Sequence, residues 1–374
     1  MMSDKRILFV GKKYICEPTG GREMLSALNY QVLKRLYPDN FFNFELDSQR
    51  HPESVRRSWG AKDHGVRKIF YGEIDGVSQE AIKDLIKLIN LNNINQLFVD
   101  GSNLGLIVQK IKARFPDITI YTFFHNVEAK FFFDSFLRKK SIRSLAVLSA
   151  NYFAERKAVY FSDHIICLTK VDSLMLKKIY SKKADFISAM AMNDELPHEL
   201  LSYAPDASRE RYVLFVGGLF YANEYGVRWF VQNVASKIKL KTYIIGRGFE
   251  AIREELEANK NVRVLGGVDA LSDYYFYADS VIAPIFNGSG MKTKVAEAFM
   301  FGKKILATDE ALVGYNGLPD NAYHACNTKE EFIDALNHPI NQPDQNFDQS
   351  LRDIYQKKFS PAAAQQRLEK ILFR

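Results

Sequence analysis

Short apolar runs alternate along this chain with longer stretches of helical spacing, and many of the runs stop at glycine or proline. In the first half they fall at 7–10, 41–46, 68–71, 96–99, 118–124 and 164–168. Between them lie stretches such as 79–91, where Ala81, Ile82, Leu85, Ile86 and Ile89 recur at the spacing of one helical face. Parallel strands cannot be joined by a tight turn, so this alternation predicts helical crossovers and a mostly parallel sheet. The pattern breaks over 194–210, DELPHELLSYAPDASRE, which is polar, holds two prolines and lacks a period, as a linker would. It then restarts. Strands are expected at 212–216, ending in Gly217-Gly218, at 241–245, ending in Gly246, and at 261–265, followed by Gly266-Gly267. Further strands are expected at 280–285, 304–307 and 322–325, and a helix at 223–235. The reading is α/β: two Rossmann-like doubly wound domains, 1–193 and 211–343, facing a central cleft. An amphipathic helix pair within 344–374 is expected to pack back on the body.

Size and charge narrow the class. The 374 residues are 47% hydrophobic and 25% charged, which suffices for two cores and excludes disorder. No apolar run approaches the roughly 18 residues of a membrane span. The opening run at 7–10 is too short for a signal peptide core, so the expected location is cytoplasmic. Cys16, Cys167 and Cys326 are far apart without metal-type spacing and read as incidental thiols. The net charge of +7 lies wholly in residues 1–200, which hold 30 Lys and Arg against 23 Asp and Glu; the remainder balances at 21 and 21. An anionic partner of the first half, such as an acidic lipid surface or a phosphorylated ligand, fits that asymmetry. Nucleic acid does not, because no recognition motif accompanies the modest excess.

The stretch 286–308, FNGSGMKTKVAEAFMFGKKILAT, carries the clearest chemistry. Asn287-Gly288-Ser289-Gly290 follows a strand and leads into a helix expected at 291–301. Glycines there let backbone N–H groups turn towards an anion, and the helix start adds partial positive charge. Lys292 and Lys294 fall in the first turn, where cations disfavour the helix alone and a bound diphosphate would neutralise them. Glu297, further along, can accept two hydroxyl hydrogens from a sugar.

From Gly288 onward this stretch resembles the donor-site signature of retaining glycosyltransferases of family 4, a GT-B-fold group. The flanking segments agree in order. LFVGGLFYANEYGVRWF (214–230) resembles the family's first strand, glycine loop and helix of the second domain, and YIIGRG (243–248) its second strand and turn. NVRVLGGVDALSDYYFYADSVIAPI (261–285) resembles the base-binding turn, short helix and next strand. The resemblance spans 212–318. In the first half, Pro18-Thr19-Gly20-Gly21-Arg22-Glu23 resembles the glycine loop lining the cleft, and Phe124-His125-Asn126-Val127-Glu128 the family's His-Asn-Val-Glu segment. Glu155-Arg156, ahead of 163–169, also fits, in a structural role.

The resemblance implies transfer of a sugar from a nucleotide-diphosphate sugar to an acceptor hydroxyl, with retention, in surface polysaccharide or glycoconjugate synthesis. It assigns catalytic roles to His125, Lys292 and Glu297. Donor contacts are expected from Gly217, Gly218, Arg247, Gly267, Val268, Ser289, Gly290, Met291, Thr293 and Lys294, with Lys292 and Glu297 again. Gly20, Gly21 and Asn126 are expected on the acceptor side of the cleft. Tyr274 and Tyr275 are candidates to stack on or bond the base. Many members carry two glutamates eight positions apart; Ser289 stands at the first of these positions, which leaves the donor sugar open. The chain has no Asp-x-Asp, so no metal is expected, and the helix start with Lys292 and Lys294 would take its place. The alternatives are a non-catalytic sugar-binding partner of an active transferase, which Ser289 favours, and a sugar-nucleotide epimerase on the same fold. The basic aromatic stretch 130–143, KFFFDSFLRKKSIR, suits an anionic membrane surface, which would place the protein peripherally on the inner face and fit a lipid-linked acceptor.

Overall fold

The computed structural model describes residues 5–12, 20–46, 71–202, 209–288, 290–338 and 347–374. The chain divides into two compact units, residues 1–190 with 364–374, and residues 191–363. The stretch 194–210, read as a linker, groups with the second unit, residues 203–208 lying outside the described residues. The C-terminal stretch is shared between the two units. The apolar run at 68–71 is outside the described residues except for Tyr71. Among those residues no helix is long and apolar enough to cross a membrane.

The first unit runs β1 (Ile7–Lys12), α1 (Gly21–Leu36), β2 (Phe41–Leu46), α2 (Gln79–Asn92), β3 (Gln96–Val99), α3 (Gly105–Arg114) and β4 (Thr119–Phe124). It continues with α4 (Glu128–Lys139), α5 (Ile142–Phe161), β5 (His164–Cys167), α6 (Lys170–Tyr180) and β6 (Phe186–Ile187). The six strands are parallel in the order β2-β1-β3-β4-β5-β6, with Ile7 paired to both Phe41 and Gln96. Side chains alternate across a strand, so each strand must satisfy two covered faces. Leu8 and Val10 of β1, with Leu97 and Val99 of β3, pack with Leu85 of α2 and Ile107 of α3. Their neighbours Phe9, Phe98 and Phe123 form a ring ladder across the sheet, with centroids 5.9 and 6.0 Å apart. The ladder ends on His125, whose ring lies 5.1 Å from that of Phe123.

The second unit holds β7 (Tyr212–Val216), α7 (Tyr221–Asn233), β8 (Lys241–Ile245), α8 (Arg253–Glu257), β9 (Val262–Gly266), α9 (Ser272–Tyr277) and β10 (Ser280–Ala283). After these come α10 (Thr293–Met300), β11 (Ile305–Ala307), β12 (Tyr323–Ala325), α11 (Lys329–Asn337) and α12 (Gln349–Ile354). One π-helical turn, Tyr355–Phe359, leads to α13 (Pro361–Leu372). The parallel order is β12-β11-β10-β7-β8-β9, the doubly wound arrangement with its reversal between β7 and β10. In the first sheet the reversal lies between β1 and β3. Ligands of open parallel sheets bind beyond the strands' carboxyl ends at such reversals.

Helix starts fall into two groups. Ser78 caps α2, Thr169 caps α6, Ser141 and Thr328 build capping boxes for α5 and α11, and Asp348 caps α12. The helices that follow the switch-point strands β1, β7 and β10 begin on Gly20, Phe220 and Lys292, and no side chain caps them; α3, α4, α8 and α9 also start without a side-chain cap. Uncapped N–H groups at these places are suited to an anion.

Close approach fixes α3 against α5. A Cβ on Gly105 would stand 1.9 Å from the carbonyl oxygen of Ala154 and 2.5 Å from the amide nitrogen of Ala158. Both obstacles are backbone and cannot rotate away. Gly105→Ala should therefore lower the unfolding free energy by about 3 kcal/mol. The reading is a reduced denaturant midpoint at unchanged slope; an unmoved midpoint would mean that the two helices separate at little cost.

Candidate functional site

In the second unit the carboxyl ends of β7, β8 and β9 meet through backbone. A Cβ on Gly246 would lie 2.0 Å from the carbonyl oxygen of Gly217, so glycine at this contact lets the β7 and β8 loops touch. The amide of Leu219 donates to the carbonyl of Arg247 at 2.9 Å, and Gly218 lies beside that carbonyl. Arg247 itself is exposed, and its side chain borders Gly267. The Glu250 carboxylate accepts from the amides of Gly248, at 2.6 Å, and Gly267, at 2.7 Å. Its own backbone amide first, then those of Gly267 and Gly248, hold its pKa below the ordinary value, and these bonds fix the turn that continues to half-buried Val268.

Helix α10 supplies the charged groups. It starts at Thr293, two residues later than its sequence suggests, because Gly290 is left-handed (φ 66°) and Lys292 is extended as the N-cap. Met291 is buried. Ser289 lies outside the described residues. The Lys292 ammonium donates to the Gly290 carbonyl at 2.9 Å and to Glu310 at 3.1 Å, while its own carbonyl accepts from Tyr315 at 2.7 Å. Lys294 turns the other way. Its ammonium donates to Asn223 Oδ1 at 3.0 Å, lies 4.7 Å from the Phe215 ring centroid, and stands against Gly217. Burial lowers its pKa to about 8; Glu297 pulls the other way, and Lys292 adds to the lowering. Asn223 Nδ2 in turn donates to Gly218 O at 2.8 Å, so the glycine pair and the lysine share one anchor. Glu297 accepts from the Tyr275 hydroxyl at 2.5 Å. Tyr275 is therefore no partner for a base: it is buried, and its ring stacks on Phe301 at 4.9 Å. The far end of α10 is tied by Arg352, whose guanidinium donates to Met300 O at 2.7 Å and pairs with Asp194.

In the first unit His125 leaves the end of β4 and is buried. Its Nε2 lies 3.1 Å from Asp100 Oδ2, just past β3, and 3.4 Å from Ser26 Oγ on α1. A carboxylate only accepts, so Nε2 carries the proton in this pair. Nδ1 is buried without a hydrogen-bond partner. Burial works to raise the Asp100 pKa, but the charge and hydrogen bond of His125 and the bonds from Ser26 (2.5 Å) and Asn29 (3.0 Å) outweigh it, and the pKa falls. Half-buried Asn126 follows. Gly20 and Gly21 open α1, one turn before Ser26. Arg22 donates to Glu128 at 3.1 Å and to Asn103 at 3.2 Å. Burial raises the Glu128 pKa against the pull of Arg22.

Beneath this turn sits Glu155 of α5, fully buried. It accepts from the amides of Glu128 (2.8 Å) and Ala129 (3.1 Å), from Ser102 Oγ (2.9 Å) and from Tyr180 (2.9 Å). Burial nevertheless pushes its pKa up to about 7. The structure thus brings His125 together with Asp100 and Ser26, and Lys294 together with Gly217, Gly218 and Asn223. Cys167 and Cys326 are free and buried, and among the described residues no His, Cys, Asp and Glu side chains converge as a metal-ligand set.

Residues 210–342 match the family model of group 1 glycosyl transferases. The second unit carries a glycosyltransferase domain. No curated protein sequence matches the chain. Among solved structures, Anabaena HepE in complex with UDP and glucose is similar at TM-score 0.63 and 12% identity, over 99% of both chains. Sucrose-phosphate synthase from Thermosynechococcus elongatus gives 0.67 and 13%, over 99% of this chain and 98% of that one. A glycosyltransferase from Rickettsia africae gives 0.66 and 14%, over 98% of each. At these identities the likeness is one of fold, and the fold is the two-domain Rossmann-like GT-B type.

Within the glycosyltransferase domain, Asn223 and Tyr275 position the lysine and glutamate that the sequence singles out. Asn223 lies within the 214–230 segment, but no spacing rule shows its amide reaching back to Gly218. In the first unit, Asp100, Ser26 and Asn29 escape a linear reading because they come from two elements. The one local signal is Asp100 itself, a carboxylate between an apolar strand and Gly101 at the sheet's reversal. Glu155→Ala should cost about 3 kcal/mol of stability, since two amides and two hydroxyls lose their acceptor in a buried place. Chemical denaturation would read the loss; parental stability in that variant would remove Glu155 from its anchoring role.

Proposed function

We propose that the chain transfers a sugar from a nucleoside-diphosphate sugar to an acceptor hydroxyl, with the diphosphate held at the start of α10. One observation carries this reading: the helix after switch-point strand β10 begins without a side-chain cap, with one lysine as its N-cap residue and a second buried against Gly217. Two cations at a helix start oppose its dipole, and a diphosphate reverses that penalty. As the sugar leaves, negative charge grows on the diphosphate, and groups already aimed there stabilise it without reorganisation. Lys292, Lys294 and the first amides of α10 fill this role, and the step needs no resident metal. Glu297, steadied by Tyr275, accepts from the donor's ribose. Gly217, Gly218, Arg247 and the Gly267-Val268 turn border the nucleotide. His125, with Nε2 engaged by Asp100, takes the catalytic role that the family resemblance implies for it. Retention, and a place in surface-glycan synthesis, follow from the family resemblance and belong to the proposal. UDP is the first nucleotide to test, because HepE was determined with UDP and with UDP-glucose.

A thermal-shift panel of UDP, GDP, dTDP and ADP tests the site, and a raised melting temperature with one of them is expected. Failure of all four would sink the reading. Lys292→Ala should lower turnover by two to three powers of ten, or about 3–4 kcal/mol for one transition-state contact; a folded variant with parental turnover contradicts the mechanism. The pH dependence has a definite sign. The ammonium of Lys294 loses its proton near pH 8 when no anion is bound, and a bound diphosphate favours the charged form. Nucleoside-diphosphate affinity should therefore fall as pH rises through about 8, as calorimetric titration would read. Lys294→Met should bind weakly with a flat profile across that range.

A further inference from the structure

The helical hairpin of α4 and α5 exposes a combination that a soluble surface seldom keeps. Ile142 is 89% exposed, and Leu137, Leu145 and Phe133 are 49%, 47% and 46% exposed. Phe133 and Leu137 lie four apart on α4, and Ile142 and Leu145 three apart on α5, so each pair shares a helix face. Phe131 and Phe132 are half-buried and pack edge to face, so Phe133 is the exposed member of the triplet. Arg138, Lys139 and Lys140 run between the two apolar pairs and Arg143 follows Ile142, all exposed. Lys130 pairs with Asp134 on α4, and Arg138 Nε donates to the Asp134 carbonyl at 3.3 Å. Lys140 also occupies the left-handed position that ends α4 (φ 42°), where glycine costs less. The backbone strain is borne by a residue that adds charge to the tip.

We infer that this hairpin tip is a docking surface for an anionic lipid bilayer. The apolar side chains enter the boundary between headgroups and acyl chains, and the four cations meet the phosphates around them. Charge complementarity decides for lipid over a second copy of the chain. Two identical tips would bring eight cations together, and like charges repel at an interface. A lipid surface would cover the exposed isoleucine and set anionic phosphates against the exposed basic side chains. The surface lies wholly within the first unit and does not depend on the donor site.

Vesicle flotation tests the inference with the full chain. Vesicles of phosphatidylcholine with about 30% phosphatidylglycerol should carry the protein upward at about 0.1 M salt, and vesicles of phosphatidylcholine alone should not. Each Gln substitution among Arg138, Lys139, Lys140 and Arg143 should lower the partition coefficient about five-fold. Ile142→Asp should lower it about ten-fold or more. Both sites are exposed, so unchanged melting temperatures are expected and would separate lost docking from lost folding. Protein left unbound by anionic vesicles, equal binding to neutral ones, or variants that float like the parent would each overturn the inference. A concentration-dependent dimer dissolved by Ile142→Asp, without vesicle binding, would overturn it in favour of self-association. UDP binding by the same preparations reports separately on the donor site, so failure of one reading leaves the other standing.

Discussion

All strands within each sheet run in the same direction, and this governs where chemistry can occur. A parallel sheet gathers every strand's carboxyl end along one edge, and each following helix begins there with its N–H groups exposed. Where the strand order reverses, two such helices diverge and leave room between their starts. In both units the structure leaves these starts without side-chain caps, while several other helices receive Ser, Thr or Asp. At α10, as at α4, α8 and α9, no side chain supplies the groups that would stabilise an isolated helix.

The two units meet the cost of buried charge in opposite ways. The first buries carboxylates and surrounds them with donors: Asp100 receives a serine, an asparagine and an imidazole, and Glu155 two amides and two hydroxyls. The outcomes differ because the balance differs. Around Asp100 the interactions with His125, Ser26 and Asn29 outweigh desolvation, whereas the donors around Glu155 do not. The second unit buries a lysine against a phenyl ring and an amide oxygen, and desolvation wins there as well. A lysine held near neutrality is sensitive to any anion that approaches it, whereas the carboxylates are already committed to positioning their neighbours.

The alternation of runs was enough to read both parallel sheets, because strand and helix periods are local properties of the chain. Strands such as Phe41–Leu46 and Tyr212–Val216 have the bounds their apolar runs suggest. The start of α10 does not, since a left-handed Gly290 and an extended Lys292 delay it, and a fragment resembling a continuous helix does not reveal backbone angles. The lysines, Glu297 and His125 were legible as residue types at strand ends. Their partners were not. Asp100 and Ser26 meet His125 only after α1 and β3 fold onto β4, and Tyr275 reaches Glu297 from a separate helix. Tyr275 also shows the limit of reading aromatics as base platforms, because its ring was needed to pack against Phe301.

The first unit is not continuous along the chain. Its last piece, residues 364–374, comes after the whole of the second unit, yet it supplies specific contacts. Arg367 donates to Ala189 O at 2.8 Å, Phe373 stacks on Tyr37 at 5.0 Å, and the carbonyl of Leu372 accepts from Lys5 at 2.9 Å. During synthesis, the sheet that emerges first from the ribosome must wait through more than a hundred and fifty further residues before this cover arrives. The nascent first unit therefore passes through a stage with Tyr37 and its surroundings open to solvent. Vectorial folding from the amino end alone cannot finish it, and translation of the glycosyltransferase domain sets how long that stage lasts.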